Sequence, residues 1–144
     1  SAVPNIAEYL KTKKIDLILA PDKGALNRAK EASKIIDCDF DYMEKTRIDG
    51  KTVEIKPKNL DVKGKNVGIV DDIISTGGTM AKSINELKKQ RAKNVFVSCT
   101  HGLFAGGAIK KLKSAGSDEI ISTDTIENDF SKVKIAKTIA KFVN

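Results

Sequence analysis

The sequence NVGIVDDIISTGGTM, residues 66–80, joins an apolar run to two carboxylates and then to a series of hydroxyl-bearing and glycine residues. Residues 67–70 are apolar without alternation, which is typical of a central strand in a parallel sheet, because both faces of such a strand are buried. A helical pattern begins near Gly78. The segment therefore predicts a strand, a tight turn and a helix, the unit from which α/β domains are built.

Short apolar runs alternate with helical stripes along the rest of the chain. We expect strands at 15–20, 37–45, 66–72, 94–102 and 119–124, and helices at 2–13, 24–36, 78–91, 105–116 and 131–143. The polar stretch 46–65 has the composition of a mobile lid, with an edge strand expected at 51–56. The last helix is expected to turn its apolar residues inward, namely Val133, Ile135, Ala136, Ile139, Ala140 and Val143. This alternation predicts one α/β domain over residues 1–144, with helices on both faces of a parallel sheet.

The chain carries 26 Lys and Arg against 19 Asp and Glu, a formal net charge of +7 that favours anionic ligands. Aromatic residues are only 5% of the chain, whereas single-strand nucleic-acid binders stack bases on aromatic side chains, so we expect no nucleic-acid partner. Small phosphorylated substrates fit the charge equally well. Because no apolar run approaches the roughly 20 residues of a membrane span and no signal-peptide pattern is evident, we expect a cytoplasmic protein without membrane contact.

The two cysteines, Cys38 and Cys99, both lie in apolar, strand-like surroundings. Two cysteines are too few for a disulfide framework in a chain of 144 residues. We therefore expect buried, reduced thiols rather than a disulfide bond.

The turn that follows the two carboxylates has the composition of an anion site. Ligands of open parallel sheets bind beyond the carboxyl ends of the strands, and free N–H groups at a helix N-terminus favour phosphate. Hydroxyl groups in 75–79 add donors and the glycines permit close approach, but the lysine of a P-loop is missing. Carboxylates beside a phosphate site suit a ligand that also presents hydroxyl groups. The pattern predicts a sugar phosphate; a capped helix beside a solvated acidic pair is the alternative.

The segment VDDIISTGGT resembles the ribose-phosphate-binding loop shared by type I phosphoribosyltransferases and phosphoribosyl pyrophosphate (PRPP) synthetases. The resemblance implies that the carboxylates hold the ribose hydroxyls of ribose 5-phosphate and that the residues after them hold its 5-phosphate. Many members of the family have an acidic residue where Ser75 stands, and serine still suits a phosphate site. The residues concerned are Asp71, Asp72, Ser75, Thr76, Gly77, Gly78 and Thr79.

A second segment, PDKG at 21–24, ends another predicted strand and should reach the same edge of the sheet. By composition alone it is as compatible with an ordinary turn as with a binding site. It resembles the pyrophosphate loop of PRPP synthetases. The resemblance implies that Asp22, Lys23 and Gly24 bind pyrophosphate and that Asp22 is a ligand of Mg²⁺, which prefers oxygen ligands.

A third segment, MEKTRIDG at 43–50, opens the polar stretch. Lys45 and Arg47 are two residues apart and project to the same side of an extended chain, although such residues in loops are usually solvated. The segment resembles the catalytic flexible loop of PRPP synthetases, which implies catalytic roles for both residues and contact of Arg47 with ribose 5-phosphate. THGLFAGGA, residues 100–108, also resembles that family; we expect a structural role for His101.

The four segments together imply a PRPP synthetase, which transfers the pyrophosphoryl group of Mg²⁺-bound ATP to ribose 5-phosphate and releases AMP. Synthetases of this family have two similar domains, and all four segments belong to the second. We therefore expect residues 1–144 to be the C-terminal half, with the N-terminal half, which supplies most of the adenine site, absent from this chain. We also expect a homo-oligomer.

Two alternatives stay open. A small phosphoribosyltransferase would share the ribose loop but would need a base-binding hood, for which no segment is evident. A non-catalytic sensor of PRPP or ribose phosphate would share the fold, but the presence of Lys45 and Arg47 counts against it.

Overall fold

The computed structural model describes residues 1–49, 53–56 and 58–143, without the side chains at 46, 47, 53, 55 and 56. The strands are β1 (Leu17–Ala20), β2 (Asp39–Tyr42), β3 (Glu44–Arg47), β4 (Val53–Lys56), β5 (Asn66–Ile74), β6 (Asn94–Gly102), β7 (Glu119–Thr123) and β8 (Ser131–Val133). The helices are α1 (Val3–Lys11), α2 (Leu26–Ile36), α3 (Gly78–Lys89), α4 (Ala108–Ala115) and α5 (Ala136–Val143).

Six strands form a parallel sheet in the order β2-β1-β5-β6-β7-β8. The strand β5 lies inside the sheet between β1 and β6, as its uninterrupted apolar run predicts. Its side chains alternate between the two faces: Val67 and Ile69 pack on one face, and Val70 packs on the other. The carboxyl ends of β1, β5 and β6 therefore meet at one edge of the sheet.

Helices cover both faces of the sheet, as predicted. On one face, Ile84 and Leu87 of α3 and Leu112 of α4 join the buried residues of β5 and β6. On the other face, Ile6 and Leu10 of α1 pack with the buried alanines of α2. Burying a Leu or Ile side chain contributes about 1.5–3 kcal/mol, so these two layers hold the sheet edges in fixed positions.

The predicted strand at 37–45 is divided in the structure. The strand β2 ends at Tyr42, and Met43 is fully buried with its N–H donating to the Ala20 carbonyl. The strand β3 then leaves the main sheet and pairs antiparallel with β4 in a separate two-stranded sheet. The strand expected at 51–56 thus pairs with β3 rather than with an edge of the main sheet. The turn expected at Gly50 lies outside the described residues.

The predicted helix at 131–143 is wrong in its first part. Residues 131–133 form β8, which pairs with β7, and Asp124 accepts the Ile135 N–H, so Val133 and Ile135 are buried without a helix. The helix α5 begins only at Ala136, and Ala136 and Ala140 are exposed. Ile139 is 52% exposed and Val143 is 76% exposed, so the expectation that they face inward is wrong. Phe142, on the same helix, is 82% exposed.

Both cysteines are free thiols, as predicted, although only Cys99 is fully buried and Cys38 is half-buried. Burial raises the pKa of Cys99 to about 12. Burial, with the Asp39 charge beside it, raises the pKa of Cys38 to about 11. Among the helices of the described residues, none has the length and apolar character needed to cross a bilayer.

Candidate functional site

Two acidic residues, Asp71 and Asp72, lie inside β5 and not after it, because the strand continues to Ile74. Neighbouring side chains in a strand point to opposite faces of the sheet. Asp71 accordingly lines a cavity of ≈ 200 Å³ on the α3 face, and Asp72 lines a different cavity of ≈ 480 Å³ on the α2 face. The Asp72 N–H donates to Asp71 Oδ1 at 2.8 Å, which fixes the Asp71 carboxylate.

The predicted phosphate-binding residues form the turn after β5 and the first two residues of α3, and we call them the Ser75–Thr79 loop. Gly77 has φ +77°, a left-handed conformation that favours glycine, and it caps α3. The first N–H groups of a helix have no partner within the helix. All five residues of the loop line the ≈ 200 Å³ cavity together with Asp71. The structure thus brings Asp71 and this loop together around one cavity.

The Asp22 turn stands at the end of the neighbouring strand β1. Asp22 Oδ1 accepts the Ala25 N–H at 3.0 Å, and a 3₁₀ turn spans Lys23–Ala25. A Cβ atom at Gly24 would lie 3.1 Å from Asp22 Oδ1, so glycine keeps this turn free of crowding. Asp22, Lys23 and Gly24 line a cavity of ≈ 380 Å³. The Lys23 ammonium lies 5.8 Å from the centre of the Tyr42 ring.

Lys45 connects these two cavities. It lies on β3, and its Nζ donates to Asp22 Oδ2 at 3.1 Å. The same side chain lines both the ≈ 200 Å³ cavity of the Ser75–Thr79 loop and the ≈ 380 Å³ cavity of the Asp22 turn. A cation therefore lies between the Ser75–Thr79 loop and a carboxylate. Arg47 is the last residue of β3, and its side chain lies outside the described residues.

The pKa values of Asp22 and Asp71 are shifted in opposite directions. Burial works against ionisation of Asp22, but Lys45 and the backbone N–H groups of Ala25 and Gly24 outweigh it and hold its pKa below the ordinary value. Burial raises the pKa of Asp71 above its ordinary value, and the charge of Asp22 acts in the same direction. The Asp72 N–H and the cations of Arg28 and Lys45 oppose this rise without cancelling it.

Arg28 was not singled out from the sequence, where it looks like one of many charged helix residues. From α2 its Nη2 reaches to 3.8 Å from Asp72 Oδ2. Thr100 and His101 line the same ≈ 480 Å³ cavity, which apolar residues of α1 and α5 close on the other side. His101 Nδ1 lies 2.8 Å from the Thr125 hydroxyl, which in turn donates to the Thr100 carbonyl. The structural role expected for His101 stays a prediction.

The described residues fit Mg²⁺ only if water and substrate phosphates complete its set of ligands. Within the described residues, no group of three or more His, Cys, Asp or Glu side chains assembles. Mg²⁺ commonly takes one or two carboxylates and completes its shell with water and substrate phosphates. Asp22 suits that arrangement, since both of its oxygens face N–H donors that a cation and its water ligands can replace.

Known proteins resemble this chain over nearly its whole length. Residues 4–135 match the family described as "Phosphoribosyl transferase domain". Ribose-phosphate pyrophosphokinase 2 of Archaeoglobus fulgidus is 48% identical over 140 residues, which are 97% of this chain and 51% of that protein. The ribose-phosphate pyrophosphokinase of Pyrococcus furiosus is 52% identical over 135 residues, which are 93% of this chain and 48% of that protein. The chain spans about half the length of these curated relatives.

Solved structures give the same picture. The phosphoribosylpyrophosphate synthetase from Mycobacterium smegmatis matches with a TM-score of 0.81 at 25% identity, covering 99% of this chain and 49% of that chain. A purine phosphoribosyltransferase from Pyrococcus horikoshii Ot3 matches with a TM-score of 0.65 at 28% identity, covering 85% of this chain and 80% of that chain.

Proposed function

Because this chain belongs to the phosphoribosyltransferase domain family, we propose that it is the ribose-phosphate-binding half of a ribose-phosphate pyrophosphokinase. The predicted parallel-sheet fold of this family is confirmed. Curated relatives with 40–52% identity carry the pyrophosphokinase name, which supports the activity. We propose that residues 1–144 are one half of such an enzyme, since the chain spans about half of each of these relatives. We assign them to the C-terminal half because the four segments resemble the second domain of the synthetases.

The position of Lys45 is the observation that carries this proposal. A protein that binds only ribose 5-phosphate needs one anion-binding turn, whereas a pyrophosphokinase, like any enzyme that handles PRPP, must hold two phosphorylated groups. Lys45 lines both the cavity of the Ser75–Thr79 loop and that of the Asp22 turn. One cation is thus placed where the groups of two anionic substrates would meet.

We assign the 5-phosphate of ribose 5-phosphate to the Ser75–Thr79 loop and its hydroxyl groups to the carboxylates of Asp71 and Asp72. Asp71 shares a cavity with the loop, which supports its assignment directly. Asp72 lines the cavity on the other face and can reach the ligand only over the end of the sheet. The pyrophosphoryl group of ATP is assigned to Asp22, Lys23 and Gly24, with Asp22 as a ligand of Mg²⁺.

In the proposed reaction, a bond forms between the 1-oxygen of ribose 5-phosphate and the β-phosphorus of ATP. The bond from that phosphorus to the α,β-bridging oxygen breaks, AMP leaves, and the proton of the 1-hydroxyl passes to solvent. Such transfers rely on positioning and charge neutralisation. Lys45 supplies one cation, and we propose that Arg47 supplies another and contacts the ribose phosphate. Asp22 would hold Mg²⁺, which would neutralise phosphate charge at this position.

The other half of the enzyme is proposed as the main partner of this chain, together with further copies in a homo-oligomer. Ile139, Phe142 and Val143 expose a continuous apolar surface on α5. Exposed apolar patches of this kind often mark interaction sites. The same helix contributes to the ≈ 480 Å³ cavity that reaches Asp72, so a partner seated on α5 would also cover one side of the site.

Phosphorus NMR of the chain with ribose 5-phosphate, ATP and Mg²⁺ tests the proposal. We expect the ribose 5-phosphate resonance to shift or broaden, while PRPP and AMP form slowly or not at all until the other half is added. Glycerol phosphate serves as a control that has a phosphate but no ribose ring. A resonance that does not move at millimolar protein and ligand would overturn the proposal.

A phosphoribosyltransferase is the second candidate, favoured by the match over 85% of this chain to the purine phosphoribosyltransferase. A second NMR sample decides between the two. With PRPP, Mg²⁺ and a free purine base, a transferase releases pyrophosphate and forms a nucleotide, whereas the proposed pyrophosphokinase half does neither.

A further inference from the structure

Residues 103–107 follow β6 and form a compact turn against the Ser75–Thr79 loop. The Leu103 and Phe104 N–H groups both donate to the Ile74 carbonyl, at 3.0 and 3.2 Å, and the Ala105 N–H donates to the Ser75 carbonyl at 2.9 Å. We call residues 103–107 the supporting turn. Its N–H groups are the hydrogen-bond donors to the Ile74 and Ser75 carbonyls, at the point where β5 ends and the loop begins.

The conformation of the supporting turn is unusual for its sequence. Phe104 has φ +48°, a left-handed conformation that costs about 1 kcal/mol or more for a non-glycine residue. Its ring packs edge-on against Phe130, with centroids 5.5 Å apart, which anchors the turn to the core. Gly106 and Gly107 follow with φ +59° and +73°. A turn held in this way is a fixed surface for the loop.

The helix α4 begins directly after the supporting turn and extends the contact. A Cβ atom at Gly77 would lie 3.3 Å from Ala108 Cβ, so the first residue of α4 sits against the loop glycine. One turn further along, Lys111 Nζ donates to the Thr76 carbonyl at 3.3 Å. Lys111 is an exposed residue, so this ammonium group is placed at the rim of the loop.

We infer that Lys111 is a positioning residue for phosphate binding, acting with the supporting turn to hold the Ser75–Thr79 loop in its binding conformation. This inference rests on the proposed function of the loop. By donating to the Thr76 carbonyl, Lys111 restrains that peptide and neutralises the partial negative charge of its oxygen. A carbonyl oxygen facing a phosphate would repel it, whereas N–H groups bind it.

The inference accounts for a sequence motif that the proposed reaction leaves without a role. THGLFAGGA contains the supporting turn, yet within the described residues it places only Thr100 and His101 on a cavity of the site, and that cavity is the one on the α2 face. The contacts of residues 103–108 and Lys111 with the Ser75–Thr79 loop give the motif a function, which is to hold the loop in its conformation.

Lys110 offers a matched control, because it is a neighbouring exposed lysine on the same helix. Isothermal titration of ribose 5-phosphate is compared for the wild-type chain, Lys111→Met, Lys110→Met and Lys111→Arg, with amide hydrogen exchange of residues 76–79 measured on the ligand-free proteins. We expect Lys111→Met to weaken binding about three- to tenfold, as for loss of a charge-assisted hydrogen bond, and to speed amide exchange in the loop. Lys110→Met and Lys111→Arg should stay within about twofold of wild type, a range typical of changes at the protein surface.

Equal affinity and equal loop exchange for Lys111→Met and Lys110→Met would overturn the inference while leaving the proposed function intact. Failure of the wild-type chain to bind ribose 5-phosphate would instead overturn the proposed function. The exchange measurement then decides the positioning role alone, since it needs no ligand. A fall in melting temperature shared by all three variants, without a selective change in loop exchange, also counts against the inference.

Discussion

The Ser75–Thr79 loop and the β3–β4 hairpin carry the two halves of the proposed chemistry, and they are built in opposite ways. The loop connects an interior strand to α3, and both of these elements lie in the main core. The hairpin is a two-stranded sheet separate from the main sheet. Ion pairs connect the base of the hairpin to the domain: Lys45 of β3 pairs with Asp22, and Lys58, which follows β4, pairs with Asp41.

This difference separates binding from catalysis. An isolated two-stranded hairpin is marginally stable, whereas a turn between a buried strand and a buried helix is fixed by the core. The partner that holds Lys45, Asp22, is also the carboxylate proposed to contact Mg²⁺. When the nucleotide binds, Lys45 is therefore expected to lose its contact with Asp22 and to contact a phosphate group instead. Substitutions in the hairpin should alter turnover, and those in the loop should alter affinity and stability.

The largest expected effect is that of Lys45→Ala in the complete enzyme. Removal of a cation that meets developing charge lowers kcat about 10²–10³-fold, or roughly 2.7–4 kcal/mol. The KM for ribose 5-phosphate should change little, because its phosphate is held by the loop. Steady-state kinetics with ribose 5-phosphate varied at saturating ATP measures both constants.

Lys58→Ala is the control for Lys45→Ala, because Lys58 also pairs with an aspartate and lies 3.9 Å from the Tyr42 ring centre, yet lines none of the three cavities of the proposed site. It should lose about 0.5–1 kcal/mol of stability and keep its kcat. A Lys45→Ala enzyme with normal kcat and raised KM would contradict the separation of binding and catalysis.

Gly77→Ala should have the next largest effect, on stability. The left-handed φ of +77° opposes a side chain at this position, and so does the Ala108 Cβ atom, which would lie 3.3 Å from the added methyl group. We expect the free energy of unfolding to fall by about 1–3 kcal/mol, measured by urea denaturation. Gly78→Ala is the matched control, since its φ is ordinary and nothing lies within 4 Å of its added methyl group. Equal losses for the two variants would show that the loop is not fixed as described.

Asp71→Asn should produce a smaller effect with the opposite sign. Because burial raises the pKa of Asp71, the folded state favours its protonated form. The resulting stability is present below the unfolded pKa of about 3.9 and is lost as the pH rises through the folded value. Asn imitates the protonated acid at every pH, so the variant should be more stable than wild type at neutral pH and equal to it near pH 3.

Urea denaturation at pH 3 and pH 7 in metal-free buffer measures this difference, and ribose 5-phosphate titration of the same proteins should show weakened binding for Asp71→Asn. A variant that is less stable at pH 7 would contradict the assigned pKa direction. Together, the two results would show that Asp71 contributes to ligand binding and lowers the stability of the folded chain at neutral pH.

Local periodicity was sufficient to predict most of the main sheet. The strand at 94–102 has the predicted bounds, and Gly116 ends α4 in a left-handed conformation, as its position after the apolar stripe indicates. The C-terminal segment differs because Val133 and Ile135 fit a strand and a helix equally well. The free edge of β7 decided between them, and this is a property of the sheet that no local pattern contains.

The site was predictable in composition and less so in geometry. The Ser75–Thr79 loop, predicted from its composition, and Asp22 and Lys45, chosen by resemblance, lie around adjoining cavities. Arg28 and Lys111 were not found, because cations on amphipathic helices look like ordinary solvated surface until the tertiary structure shows what they face. The placement of Asp72 was also missed, since it depends on β5 running two residues beyond its predicted end.

The continuation of β5 through Asp71 and Asp72 makes the strand a partition between two chambers. Adjacent positions in the chain open into different compartments, so either carboxylate can be exchanged without altering what the opposite chamber presents. Inserting or deleting one residue upstream in β5 would do the reverse and swap the two acids between chambers. Substitution therefore changes one chamber at a time at this point of the sequence, whereas a shift in length changes both.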